Sequence, residues 1–272
     1  MSLLEETKFL LQSFQIYPKK SLGQHFMVEE KIFQLLAEYA SLARDDVVLD
    51  VGAGLGFLTS FLAGQCKKVL AVELDSKLVR VLLERLKYFR NVDIIEGDVL
   101  KVNLPAFNKV VSIPPYKISS ALLEWLSTKT FSCAVLVLQK EFAERIVAPI
   151  GSENYSWLTV LAHYLFESEL LDNVSKKLFY PQPEVDSMIV RLKPISSQTF
   201  KLKDLAFFKR VVQTLFTQRN RKIRNAIQPL LRKHFATRDE LVKFAESLPF
   251  CNRRVRELAP EDFGELANVL TK

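Results

Sequence analysis

Cysteine, histidine and long apolar runs are all scarce in this sequence. Of 272 residues only three are cysteine: Cys66, Cys133 and Cys251. They are far apart, odd in number and form no CxxC pair, which argues against a disulfide framework and a cysteine zinc site. The histidines, His25, His163 and His234, are equally scattered, so no metal is expected. No apolar stretch reaches the roughly 18–20 residues that span a bilayer. The start of the chain mixes Glu5 and Glu6 with apolar residues and has no cleavage-site pattern, so no secretory or transit leader is expected. A reducing, cytoplasmic setting fits these absences.

What is present is an ordinary globular composition, 49% hydrophobic and 25% charged, with room for one large domain and a small one. The net charge of +7 is unevenly spread. Residues 197–272 hold 16 Lys and Arg against 8 Asp and Glu, while residues 1–196 hold 22 against 23. A basic C-terminal quarter suits a polyanion, because cationic side chains release counterions from phosphates. A solvated basic surface without a partner accounts for the charge equally well.

Residues 1–45 read as helical around a basic, glycine-containing interruption at Lys19–Gln24. From residue 46, short apolar runs alternate with helical patterns: strands at 46–51, 68–73, 92–96, 109–113 and 134–138, helices at 57–63, 76–86, 119–126 and through Phe142 and Ile146. Such alternation predicts an α/β fold with a parallel sheet covered on both faces. Two further strands are expected at 165–171 and 186–192. Beyond Pro194 only helical patterns remain, so residues 1–195 and 196–272 are the expected domains, the second all-helical.

Asp50-Val51-Gly52-Ala53-Gly54-Leu55-Gly56 lies where the first strand of this series meets its helix. Glycines there let backbone approach a ligand. Their G-x-G-x-G spacing departs from the dinucleotide G-x-G-x-x-G, which argues against NAD. Glu73 ends the second strand, where a carboxylate can accept ribose hydroxyls, and Asp98 follows the third, where one can accept an adenine amine. Each alone is an ordinary strand end. Together they describe an adenosine-shaped site, as in class I S-adenosylmethionine methyltransferases, which this constellation resembles.

Ser112-Ile113-Pro114-Pro115-Tyr116 follows the fourth strand. Two prolines stiffen this loop and remove its N–H donors, leaving carbonyls that suit an amine substrate. An adenine amine is a poor nucleophile, and acceptors for its hydrogens free its lone pair. Tyr116 can stack on an extruded base, with Phe179 as a second wall. A Pro-Pro-Tyr on its own is equally an ordinary rigid turn.

Taken in order, the motifs resemble the ribosomal RNA adenine dimethyltransferase (KsgA) family over nearly the full length. Lys20-Ser21-Leu22-Gly23-Gln24-His25-Phe26 is similar to its K-x-L-G-Q-N-F signature, and Pro115-Tyr116-Lys117-Ile118-Ser119-Ser120 to P-Y-N-I-S-S. Gln139-Lys140-Glu141-Phe142-Ala143-Glu144-Arg145 matches a family helix. Phe179 to Ser187 resembles F-x-P-x-P-x-V-x-S, and Phe216 to Asn225 the basic C-terminal signature.

The resemblance implies a Rossmann-like class I methyltransferase sheet and dimethylation of two neighbouring small-subunit (16S) rRNA adenines, in ribosome biogenesis. It implies S-adenosylmethionine contacts at His25, Met27, Gly52, Gly54, Glu73, Asp98 and Ile113. The reactive group would be Ile113, Pro114, Tyr116 and Phe179, with the adenine between the two rings. Arg219, Arg221, Lys222 and Arg224 would grip phosphates of rRNA in the pre-ribosomal small subunit. A monomer is expected, with no metal and no membrane.

Two positions depart from the family. His25 replaces an asparagine, and its imidazole is expected to bond the cofactor carboxylate. Ile113 replaces the reactive-loop asparagine and accepts no hydrogen bond, leaving the Pro114 carbonyl and Ser112 as acceptors. Ile113 therefore supports an alternative, a ribosome-assembly factor that binds RNA with little or no turnover. The complete donor-site set favours the enzyme. A methyltransferase of large-subunit rRNA, as in erythromycin resistance, is a third reading.

Overall fold

The computed structural model describes residues 1–19 and 22–271. Lys20 and Ser21 of the N-terminal signature lie outside the described residues. In chain order the elements are α1 (Leu3–Ser13), β1 (Phe26–Met27), α2 (Glu30–Tyr39), β2 (Val47–Val51), α3 (Phe57–Ala63), β3 (Lys68–Glu73) and α4 (Ser76–Arg85). Next come β4 (Val92–Glu96), β5 (Lys109–Ser112), α5 (Ser119–Leu126), β6 (Cys133–Gln139), α6 (Lys140–Ile146), α7 (Trp157–Leu165) and β7 (Phe166–Val174). The rest are β8 (Phe179–Tyr180), β9 (Ser187–Pro194), α8 (Leu205–Phe216), α9 (Ile223–Ala226), α10 (Gln228–Leu231), α11 (Arg238–Ser247) and α12 (Pro260–Leu270).

The chain forms two compact units, residues 1–143 with 168–194, and residues 144–167 with 195–272. These differ from the contiguous spans 1–195 and 196–272 expected from the sequence pattern. The cause is α7. Leu158, Val160, Leu161, Ala162, Tyr164 and Leu165 are all buried there, Thr159 with them, leaving His163 the one exposed residue of the helix. Without an amphipathic stripe a helix gives little periodic signal, and the sequence pattern did not reveal this one. It packs against α8 and α12 within the second unit.

In the first unit a seven-stranded sheet has the order β4-β3-β2-β5-β6-β9-β7. The strands β4, β3, β2, β5 and β6 pair in parallel. β9 runs antiparallel to β6, with Leu136 opposite Val190, so the sheet is mixed rather than wholly parallel. A parallel neighbour requires a crossover back over the sheet, and the chain between β6 and β9 is not a simple helical one. Val48, Leu49, Val110, Val111, Ala134 and Val135 are inaccessible to solvent. Ile32, Phe33 and Leu36 of α2 cover one stretch of this core. Each such apolar side chain contributes about 1.5–3 kcal/mol when fully buried.

The N-terminal segment is not helical throughout. Phe26 and Met27 form a short antiparallel ladder with Tyr180 and Phe179. This pairing brings two distant signatures together, and two residues are too few to show a period.

Among its described residues the second unit is helical apart from the first two residues of β7 and an isolated antiparallel bridge between Lys222 and Arg254. Tyr155, Phe208 and Phe263 are fully buried in it, and the Tyr155 hydroxyl donates to the Leu258 carbonyl at 2.8 Å.

Candidate functional site

Because β2, β3, β4 and β5 are parallel, their carboxyl ends share one edge of the sheet. A cavity of about 250 Å³ opens there, lined by Gly52, Gly54, Glu73, Asp98, Ile113 and Tyr116 among others. A smaller cavity, about 50 Å³, is lined by Met27, Asp50 and Phe57 and shares five lining residues with the first.

The glycine turn is as close-fitting as its spacing suggested. Gly52, Gly54 and Gly56 all have positive φ, +72°, +59° and +80°, a region costly for residues with a Cβ. A Cβ on Gly52 would lie 2.7 Å from Cδ of Pro115. On Gly54 it would lie 3.3 Å from the Phe26 ring. The turn, the reactive loop and the N-terminal signature are therefore in mutual contact around the cavity.

Glu73 is 7% exposed, and three backbone N–H groups orient its carboxylate. Gly54 donates to Oε2 at 2.8 Å; Leu74 and Asp75 donate to Oε1, each at 2.9 Å. A carboxylate has about four acceptor positions, so one remains, on Oε2. Burial pushes this carboxyl above its usual range, against the pull of those three bonds. Asp98 accepts from Leu100 N–H at 3.0 Å and remains partly exposed.

Asp50, absent from the expected site set, lines the smaller cavity. It accepts from the Thr59 hydroxyl at 2.7 Å. Burial, with Glu73 nearby, pushes its carboxyl from 3.8 up to about 7. Raised in the folded state, this group stabilises the fold most below about pH 4, and that contribution is lost as pH rises to about 7. Asp50→Asn should thus flatten stability against pH between those values. Denaturant melts across the range measure this; an unchanged slope contradicts it.

Ser112 offers nothing to a ligand. It is fully buried, donating to the Val51 carbonyl at 2.7 Å and accepting from Val51 N–H at 3.0 Å. Of the acceptors expected to replace a reactive-loop asparagine, only the Pro114 carbonyl remains. Tyr116 hydrogen-bonds Ser187 at 2.6 Å, and burial keeps its phenol above the usual range, hence neutral. Its ring lies 6.5 Å from that of Phe179 at an interplanar angle of 71°. Two parallel faces about 7 Å apart would be needed to sandwich a flat base, so Phe179 stands edge-on to Tyr116 rather than as a facing wall. Met27 lines only the smaller cavity.

A clamp not foreseen from sequence positions the signature loop. Asp75 accepts from Gln24 Nε2 at 2.9 Å and from Lys19 Nζ at 2.8 Å. Gln24 was visible as part of the signature, but nothing marked Asp75 as its partner.

In the second unit the four expected RNA contacts divide. The Arg219 guanidinium donates to the carbonyls of Glu153 and Ser152 at 2.6 and 2.7 Å. Arg224 donates to Asn252 at 2.9 Å. Arg221 and Lys222 are exposed and have no side-chain hydrogen bond or ion pair among the described residues. Neutralising Arg221 and Lys222 together should weaken RNA binding and reduce the log–log salt slope by about 2. Neutralising Arg219 and Arg224 should mainly lower stability. Salt titrations and melts distinguish the pairs; an unchanged slope for the first would remove it from the interface.

Among the described residues no cluster of histidine, cysteine and carboxylates is placed to hold a metal, and no helix is long and apolar enough to cross a membrane.

The model for the family described as ribosomal RNA adenine dimethylase matches residues 17–270. A probable ribosomal RNA small subunit methyltransferase A from Methanosarcina acetivorans is 41% identical over 252 residues, covering 92% of this chain and 93% of that protein. The crystal structure of a dimethyladenosine transferase from Plasmodium falciparum superposes with a TM-score of 0.75 at 29% identity, covering 89% of this chain and 95% of that one. The 23S rRNA methyltransferase ErmE gives 0.65 at 31% identity, covering 89% and 98%.

Proposed function

Because the chain belongs to the ribosomal RNA adenine dimethylase family, we propose that it dimethylates adenine amines of small-subunit rRNA with S-adenosylmethionine. The observation that carries this reading is the convergence of Gly52, Glu73, Asp98 and Tyr116 on one cavity.

The residues present suit the cofactor. Glycine at 52 and 54 lets Pro115 and the Phe26 ring close on the turn, where a Cβ would lie 2.7 and 3.3 Å from them. Glu73 keeps one acceptor position for a ribose hydroxyl, and Asp98 is placed to accept the adenine amine. When bound, S-adenosylmethionine supplies an electrophilic methyl group on a sulfonium. The Pro114 carbonyl accepts one hydrogen of the target amine, and Tyr116 presents its ring to the base. Displacement depends mainly on alignment, which the proline-stiffened loop provides. In the second unit, Arg221 and Lys222 engage phosphates of the rRNA.

Ile113 and the closed Ser112 favour a second reading, an assembly factor that grips RNA without turnover. Incubating the protein with labelled methyl donor and immature small subunits, then mapping modified bases by mass, separates the two. Dimethylated adenines are expected. Absence of incorporation by protein that binds S-adenosylhomocysteine would establish the assembly factor instead.

A further inference from the structure

Ser187 ends the Phe179–Ser187 signature, and the donor site makes no use of it. It opens β9 and is inaccessible to solvent, as are Ile189 and Val190 after it. A hydroxyl taken out of water is costly unless hydrogen-bonded, so a serine here needs a partner. That partner is the Tyr116 phenol, 2.6 Å away and 71 residues earlier in the chain; either oxygen can donate.

The two oxygens are anchored differently. Ser187 stands opposite Gln139 in the β6–β9 ladder. Its neighbour Asp186 is tied twice, the carbonyl accepting from Lys140 N–H at 3.0 Å and the carboxylate from Lys176 N–H at 2.8 Å. With a single χ angle, the serine hydroxyl goes where the strand puts it. Tyr116 lies in the loop after β5. Ser119 Oγ donates to its carbonyl at 2.9 Å, which holds the backbone but not the ring. The phenol oxygen lies on the axis about which χ2 turns. Its bond therefore leaves that rotation alone and fixes χ1, the direction in which the ring leaves the loop. The turn about the axis is set by neighbours. His25 lies nearly parallel, centroids 6.1 Å apart and planes 24° apart, and Phe179 lies edge-on. His25 is itself held, Nδ1 lying 2.7 Å from the Pro181 carbonyl.

Tyr116 lines the donor cavity, whereas Ser187 lines neither cavity. We propose that Ser187 is a positioning residue: its hydroxyl holds the Tyr116 ring where the target adenine stacks, and so sets the rate of methyl transfer without touching base or cofactor. This rests on the methyltransferase reading above. Alignment dominates a displacement at a poor nucleophile, so a ring that swings about χ1 misplaces the amine before it weakens donor binding.

A double-mutant cycle tests this, read as single-turnover methylation of immature small subunits at saturating S-adenosylmethionine. Ser187→Ala should slow transfer about tenfold, the worth of one hydrogen bond, while calorimetric affinity for S-adenosylhomocysteine stays within about twofold. Tyr116→Phe keeps the ring, drops only the phenol hydroxyl and should cost about the same. The double variant should be no slower than either alone, because both substitutions remove one bond; independent roles would multiply to about 100-fold. A merely structural serine would lower the melting temperature and leave the rate alone. That result, multiplied losses, or S-adenosylhomocysteine affinity falling with the rate overturns the proposal and leaves the methyltransferase reading standing. Should Ser187→Ala misfold, Tyr116→Phe decides by itself, since an unchanged rate there overturns the proposal too. Failure of the unmodified protein to methylate adenine sinks both.

Discussion

Gly52→Ala should abolish methyl transfer while the protein still folds. The added Cβ would sit 2.7 Å from Cδ of Pro115, a ring with little freedom to yield. The φ of +72° adds a backbone cost of roughly 1–2 kcal/mol for an L side chain. The strain is relieved by pushing the reactive loop away from the glycine turn. A shift of about 1 Å in a reacting group costs about 100-fold. Weaker cofactor seating on the displaced turn adds about another tenfold, for a combined loss of roughly 1,000-fold. Single-turnover methylation measures the rate, and circular dichroism confirms the fold. A folded alanine variant with near-normal rate would show that the turn and the loop do not act together.

Glu73→Gln should cost the cofactor at least about 100-fold in affinity, or about 3 kcal/mol. The amide retains one oxygen where the carboxylate used two, so its NH2 must face a backbone N–H, either that of Gly54 or those of Leu74 and Asp75. With the NH2 toward Gly54 the acceptor position left for a ribose hydroxyl is lost; with it toward Leu74 and Asp75 that position survives without the charge.

A pH signature accompanies this. Burial raises the folded-state carboxyl above its usual range. Its contribution to stability is therefore full at low pH and lost as pH rises through the folded value. Cofactor affinity should move the other way, rising as the carboxylate forms. The glutamine variant should lose the affinity trend and Glu73's share of the stability trend, keeping that of Asp50. Calorimetry with S-adenosylhomocysteine, run beside thermal melts over the same pH range, reads both. Unaltered affinity in the variant would remove Glu73 from the donor site.

Much of the first unit was legible in the chain because its information is local. Val47–Val51, Lys68–Glu73 and Val92–Glu96 are compact apolar segments, and each ends near Gly, Glu or Asp. Once the strands are known to be parallel, those ends must share an edge, so Gly52, Glu73 and Asp98 meet without reference to any distant contact. The charge asymmetry and the ordered signatures are likewise properties of composition and spacing.

Other features existed only once distant segments packed. The helix α7 joined the second unit because nearly all of it is apolar, with His163 its one exposed residue, which weakens the periodicity that marks amphipathic helices. Ser112 closed on Val51, and Arg219 turned to the carbonyls of Ser152 and Glu153. Neither choice is written in the residue type, since hydroxyls and guanidiniums serve structure or ligand equally well.

By itself, then, the sequence determined the α/β plan, the donor edge and the family. The tertiary structure alone decided which polar groups stay free to act. A hydrogen-bonding group is spent or available according to neighbours far away in the chain, as the Pro181 carbonyl, 156 residues from His25, settles which imidazole nitrogen keeps its lone pair.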